Sequence, residues 1–418
     1  MIEDRLMSTR VSGATRLAVQ RIRDRVRLAI GVVGLIVLTA SSVVSSVGGQ
    51  SPASAVVSGC TDCSLVVSRV GRLEPRGVES EFSHDAISIV QDGRGRIVAG
   101  PVGGFTSFAV FNATGKLLKV VGRSGAGPGE FRMISSIAIT RDDSILVMDP
   151  LLQRLSVFSP TMDFVRSIPM PQLRRMLARP AGTLIAVANL RSGDAVGFAL
   201  HEFDLNDGHR VRSFGEDTRL FGSAAEASLT AEALRSTFVA TDSDGALLVS
   251  REEPFRVERL GPSDLTVLSR YQPSWLPSPT PRYRTRPGRA ATAETPRGED
   301  ELLEPRPRTT SLAMLSDGTA ILAGIVAAPD WRRRANPHAA EVGRRIDWSD
   351  RLRKADGWYS SVIDYFDPLT GVFIGRTRLR HSSVHLLRNG QVAVLSVDDD
   401  GLIVVDVLQV HAPGGTRR

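Results

Sequence analysis

Ile137-Ala138-Ile139-Thr140-Arg141-Asp142-Asp143-Ser144-Ile145-Leu146-Val147-Met148-Asp149 is an apolar run, a polar turn and a second apolar run, and Arg154-Leu155-Ser156-Val157-Phe158 follows as a third. Short apolar runs rich in Val and Ile, separated by Asp, Asn, Gly or Ser, read as strands joined by hairpin turns. The first turn of this unit recurs along the chain. Asp92-Gly93-Arg94-Gly95 precedes Ile97-Val98, Pro180-Ala181-Gly182 precedes Leu184 to Val187, and Asp244-Gly245 precedes Leu247 to Val249. Asp317-Gly318 before Ile321-Leu322 and Asn389-Gly390 before Val392 to Val394 bring the instances to six.

A second turn follows the third strand of most units: Phe111 to Gly115, Phe158-Ser159-Pro160, Phe203 to Gly208, Leu260-Gly261-Pro262 and Phe366 to Gly371. Five units therefore show four strands each, and the sixth ends at Val410 after three. A missing strand would leave an open edge, which closed ring folds avoid. Val67-Ser68-Arg69-Val70-Gly71 looks like the fourth strands Leu118 to Gly122 and Val211 to Gly215. The prediction is an all-β six-bladed β-propeller of four-stranded antiparallel blades over residues 64–410, its last blade closed by the N-terminal strand. Residues 411–418 form a tail, and the ring is expected to be a monomer.

Val120 to Phe131, with its Gly125-Ala126-Gly127-Pro128-Gly129-Glu130-Phe131 loop, and the Asp149 to Phe158 strand pair resemble the NHL-type repeat of six-bladed propellers. The short Cys60-Thr61-Asp62-Cys63 after an apolar leader is also similar to a group of uncharacterised secreted bacterial propellers. The resemblance implies the fold. It implies no single activity, because relatives include binding, scaffold, hydrolase and lyase members.

Residues 1–55 are a leader. Seven Arg against Glu3, Asp4 and Asp24 precede Leu28 to Val44, an uncharged apolar run, so +4 of the formal +7 lies before residue 28. This is the pattern of an export signal or anchor helix. Ala53-Ser54-Ala55 suits cleavage, an uncleaved anchor would leave the chain on a membrane, and Val57-Ser58-Gly59-Cys60 has the residue types of a lipidation site. All three place the remainder outside the cytoplasm: periplasmic, membrane-anchored or secreted. Because so much of the excess charge lies in this leader, it argues against a nucleic-acid partner. Cys60 and Cys63, in the 56–63 linker, are expected to form a small disulfide loop.

No spacing signals a catalytic residue, a cofactor or a metal. The Gly125-x-Gly127-x-Gly129 loop precedes a strand rather than the helix a phosphate cradle needs. Asp149 and Arg154 are expected to make an ion pair within a blade. His381 and His385 read as one side of a strand, roughly 13 Å apart and too far to share an ion. Asp398-Asp399-Asp400-Gly401 reads as a hairpin turn. Two insertions, 272–308 and 329–354, interrupt the repeat, and the second carries Trp331, Arg332, Arg333, Arg334 and Trp348. Strand-two-to-three loops and blade-to-blade links share one face, so both insertions crowd one mouth of the channel. Their Trp and Arg content would suit a protein, anionic or carbohydrate ligand. The reading is an extracytoplasmic, non-catalytic binding or scaffold propeller. The alternative is a metal-dependent hydrolase or lyase with its site in the central channel. An inward cluster of Asp, Glu, His or Asn would favour the alternative, and an apolar or Arg-lined channel the first reading.

Overall fold

The computed structural model describes residues 65–73, 87–101, 105–191, 193–217, 220, 234, 237–242, 244–252, 255–276, 307–333 and 348–411. The leader, the Cys60 and Cys63 pair and Arg334 lie outside them. The described residues form six four-stranded antiparallel sheets in a six-bladed β-propeller. Blade one is β2 (Ile87–Gln91), β3 (Ile97–Pro101), β4 (Phe108–Phe111) and β5 (Leu117–Val121), and blade two is β6 (Ser136–Ile139), β7 (Ile145–Asp149), β8 (Arg154–Phe158) and β9 (Phe164–Pro169). Blade three is β10 (Arg175–Ala178), β11 (Thr183–Val187), β12 (Phe198–Asp204) and β13 (Arg210–Glu216). Blade four is β14 (Phe238–Thr241), β15 (Leu247–Glu252), β16 (Phe255–Leu260) and β17 (Val267–Tyr271). Blade five is β18 (Arg308–Met314), β19 (Ala320–Ala327), β20 (Tyr359–Phe366) and β21 (Phe373–Leu379). Blade six holds β22 (Val384–Leu386), β23 (Gln391–Val397) and β24 (Ile403–His411).

β1 (Val66–Leu73) pairs antiparallel with β24, from Val66 opposite His411 to Leu73 opposite Val405. The N-terminal strand therefore closes blade six, and Arg72 binds Asp406 through two hydrogen bonds of 2.7 and 2.9 Å.

The core lies between blades. Strands β7 and β20 are buried along their whole length because a neighbouring blade covers each face. That is why they read as unbroken apolar runs, whereas the outer strands are largely exposed and leave even apolar side chains such as Leu118, Val120, Val165 and Val211 in solvent. Between blades one and two, Phe108 meets Phe158 edge-to-face at 5.6 Å, with Phe131, Ile137 and Val147 around them.

A β-bulge interrupts the third-to-fourth strand pairing in every blade. In four blades the residue after the bulge reaches the outer turn of the next blade. Lys119 donates to the Met162 carbonyl, Arg166 to Leu205 and Asn206, Arg212 to Ser263, and Ser269 to Pro368. The turn must come close for this staple to form. A Cβ at Gly115 or Gly371, both at positive φ, would overlap the carbonyl oxygen of Arg72 or Arg270 on the preceding blade.

Candidate functional site

The six inner strands run the same way, so one face of the ring collects their starts, the links between blades and the strand-two-to-three loops. On this face the Gly125 to Phe131 loop is self-contained. The Gly127 amide donates to Glu130 at 2.8 Å, Arg123 donates to the same carboxylate at 2.8 Å, and Phe131 is driven into the core. The Gly127 amide, and then Arg123, hold the Glu130 carboxyl below its usual range. The loop thus carries its own anion and offers no cradle for a phosphate.

Asp149 and Arg154 do not pair with each other. They face across the hairpin in register, but the Asp149 carboxylate accepts from the backbone amides of Arg132, Met133, Leu151 and Leu152. Arg154 donates to the carbonyls of Ala126, Gly127 and Glu130 at 2.7 to 2.9 Å. Charge-assisted bonds to main chain hold the Asp149 carboxylate and the two terminal nitrogens of Arg154, so both residues act on the loop's shape.

The blade-five insertion is partly described. Trp331 is buried and packs edge-to-face on Trp358 at 5.6 Å, with Ile325, Ala328 and Tyr359. Its ring is therefore core rather than a stacking surface for a ligand. Arg332 and Arg333 are exposed, and the Arg332 guanidinium lies 4.9 Å over the Trp331 ring. Trp348 opens helix α1 (Trp348–Trp358), although its side chain lies outside the described residues. Leu352 of α1 is buried among Leu73, Ile89, Leu387, Leu395 and Ile403, so the helix crosses from blade five over blade six to blade one. Asp356 holds it there, accepting from the Ser382 amide at 2.6 Å and hydroxyl at 2.7 Å, and lying 3.3 Å from His381 Nδ1. That hydrogen bond, against some burial, raises the His381 pKa above its ordinary value.

His381 and His385 do not share a strand. His381 is in the link between β21 and β22, whereas His385 is on β22, the inner strand of blade six. Burial, and then the charge of Arg175, push His385 down to about 4, which leaves it neutral near pH 7. Arg175 and Arg308 are the first residues of the inner strands β10 and β18. The Arg175 guanidinium lies 3.9 Å over the Phe238 ring and donates to the Leu234 carbonyl at 2.8 Å. Burial, and then the charges of Arg174 and Arg308, lower its pKa to about 10. Arg175 and Arg308 were not singled out by sequence, and His385 was weighed there only beside His381 as an ion ligand. Their signal would have been a basic residue at the first or second position of an inner strand, visible only once blade boundaries are known.

The carboxylates of the blades are committed elsewhere. Glu202 accepts from Arg179, Thr183 and Arg212. Asp364, fully buried, accepts from Tyr271, Trp275 and Arg376 at 2.6 to 2.9 Å. Glu258 contacts Arg251, Arg256 and Arg270. His201, also buried, lies 2.8 Å from Ser213 Oγ and 3.3 Å from the Ala188 carbonyl, a polar staple inside blade three. Among the described residues no group of three or more His, Cys, Asp or Glu has a metal-holding arrangement. The Asp398 to Gly401 run is a hairpin turn, closed by the Asp398 amide donating to the Leu402 carbonyl.

Residues 105–186 match a family described as a 6-bladed beta-propeller, DUF5128. A solved protein from Bacteroides fragilis, inferred to be exported, superposes with TM-score 0.50 at 9% identity, covering 83% of this chain and 95% of that one. A DUF4221 family member from Bacteroides vulgatus superposes with TM-score 0.51 at 10% identity, covering 84% and 99%. No curated protein matches the chain. At these identities the likeness concerns the fold.

Proposed function

We propose that the chain is an extracytoplasmic binding or scaffold propeller that takes its ligand on the face where the inner strands begin. The basic channel mouth supports this reading. Arg175 and Arg308 stand at the starts of two inner strands, while the blade carboxylates named above are bound to arginines or backbone within and between blades. Binding propellers place ligands on such loop-bearing concave faces. The basic and apolar leader, and the exported neighbour of the same fold, support a location outside the cytoplasm. The glycine loop and the Cys60 and Cys63 pair support kinship with secreted NHL-type propellers, and exposed Arg332 and Arg333 offer a second contact on the same face.

The test is a screen of the immobilised full-length chain against protein, glycan and small acidic ligands, beside ester and lactone hydrolysis assays. Saturable binding without turnover supports the reading. Turnover that a chelator abolishes would replace it with the hydrolase alternative.

A further inference from the structure

We infer that the channel mouth is an oxyanion site: Arg175 and Arg308 grip a carboxylate, sulfate or phosphate group of a small ligand, with His385 on the next inner strand beside them. This rests on the binding reading above and names its ligand chemistry.

Arg175 is held rather than loose. Phe238 supports one face of its guanidinium at 3.9 Å, and the carbonyls of Leu234 and Thr237 take hydrogen bonds at 2.8 and 3.4 Å. These contacts orient the group, but none supplies a counter-charge. A half-buried cation without one carries an uncompensated charge, which a bound anion would complete. Among the described residues no carboxylate pairs with Arg175 or Arg308.

The fold aims the two at one place. β10 and β18 flank β14, all three begin at the same mouth, and Arg308 is exposed there with its charge felt at Arg175. His385 lies on β22, the inner strand next to β18, within reach of the Arg175 charge. A guanidinium presents paired N–H donors that match oxyanion geometry, which a Lys in either place would not. Thr310, two residues after Arg308 on β18, has a buried hydroxyl without a hydrogen-bond partner, so donor capacity near the start of this strand remains unspent. His385, being neutral, can donate one hydrogen bond without adding a third positive charge.

Full-length protein would be titrated calorimetrically with sodium phosphate, sodium sulfate and sodium glucuronate at constant chloride. At least one probe is expected to bind saturably. Arg308→Gln, an exposed position with no side-chain partner among the described residues, is expected to weaken that probe at least tenfold with unchanged melting. Arg175→Lys, which keeps the charge but not the fork, is expected to weaken it comparably. Lys116→Ala, at an exposed position in the outer turn of blade one, is expected to leave it unchanged. No binding by any probe, or equal binding by Arg308→Gln, overturns the site. If the wider screen then finds a neutral ligand, the site fails and the binding reading survives. If an oxyanion ester binds and is hydrolysed, the reading falls while the site stands.

Discussion

His201 gives a pH dependence that can be worked from the structure. Its imidazole is fully buried in blade three, between Ser213 Oγ at 2.8 Å and the Ala188 carbonyl at 3.3 Å, and burial pushes its pKa down to about 4. An unfolded His titrates near 6.5, so between about pH 6.5 and 4 the unfolded chain binds a proton that the folded chain refuses. Stability is therefore whole above that window and is lost as pH falls through it. With a 2.5-unit gap the full loss is about 3 kcal/mol, of which about 2 kcal/mol has accrued at pH 5. His385 acts in the same direction, and His381, with its raised pKa, in the opposite one, adding stability at low pH that fades as pH rises through its folded value. Glu130, Asp142, Glu202 and Asp207, all with lowered values, withdraw stability only at more acidic pH, below the unfolded carboxylate range. The assay is histidine-selective NMR titration of the folded chain, paired with denaturation at pH 7 and pH 5 for wild type and His201→Gln. The variant should shrink the stability difference between the two pH values by about 2 kcal/mol. A His201 resonance titrating at 6 or above, or a variant with an undiminished pH difference, would refute the argument.

Gly115→Ala places a Cβ against the Arg72 carbonyl at positive φ and should cost about 3 kcal/mol or more, read by melting, whereas Gly318→Ala, at similar φ with open space, should cost about 1 kcal/mol. Asp364→Ala strands Arg376, Tyr271 and Trp275 and should destabilise by about 3 to 5 kcal/mol in denaturant unfolding. Leu352→Ala empties the anchor of α1 beneath blades six and one and should cost about 2 to 5 kcal/mol by the same measurement, with α1 amides losing hydrogen-exchange protection first.

The ring was legible because its signals are local. A hairpin turn needs residues that accept positive φ, and Gly95, Gly182, Gly245, Gly318 and Gly390 take it at five of the six first turns, with Asp143 at the other. Blade closure was legible too, since Val67 to Gly71 has the residue pattern of an outer strand and only one blade lacked its fourth. What local reading could not supply was the destination of a side chain. Asp149 opposite Arg154 looks like an ion pair in one dimension, but the neighbouring link offers amides to one and carbonyls to the other, and those donors and acceptors are closer in space. Trp331 beside three arginines looks like a ligand platform, but Trp358, far along the chain, returns to cover it.

The same limit explains why the channel mouth was missed, and it carries a physical lesson about charge in this ring. Each blade has two buried faces, so a carboxylate on a third strand can survive only if a neighbouring strand brings an arginine, as Arg212, Arg270, Arg376 and Arg72 do for Glu202, Glu258, Asp364 and Asp406. Those pairs cancel charge in the body of the ring. Among the described residues no carboxylate pairs with Arg175 or Arg308 at the inner-strand starts, where the neighbouring blade presents its own strand start rather than an outer turn. Arginines there keep their field, and a channel walled by protein focuses it toward the opening. The ring geometry thus supplies arginine partners along the blade faces, while among the described residues Arg175 and Arg308 at the inner-strand starts are left without a carboxylate.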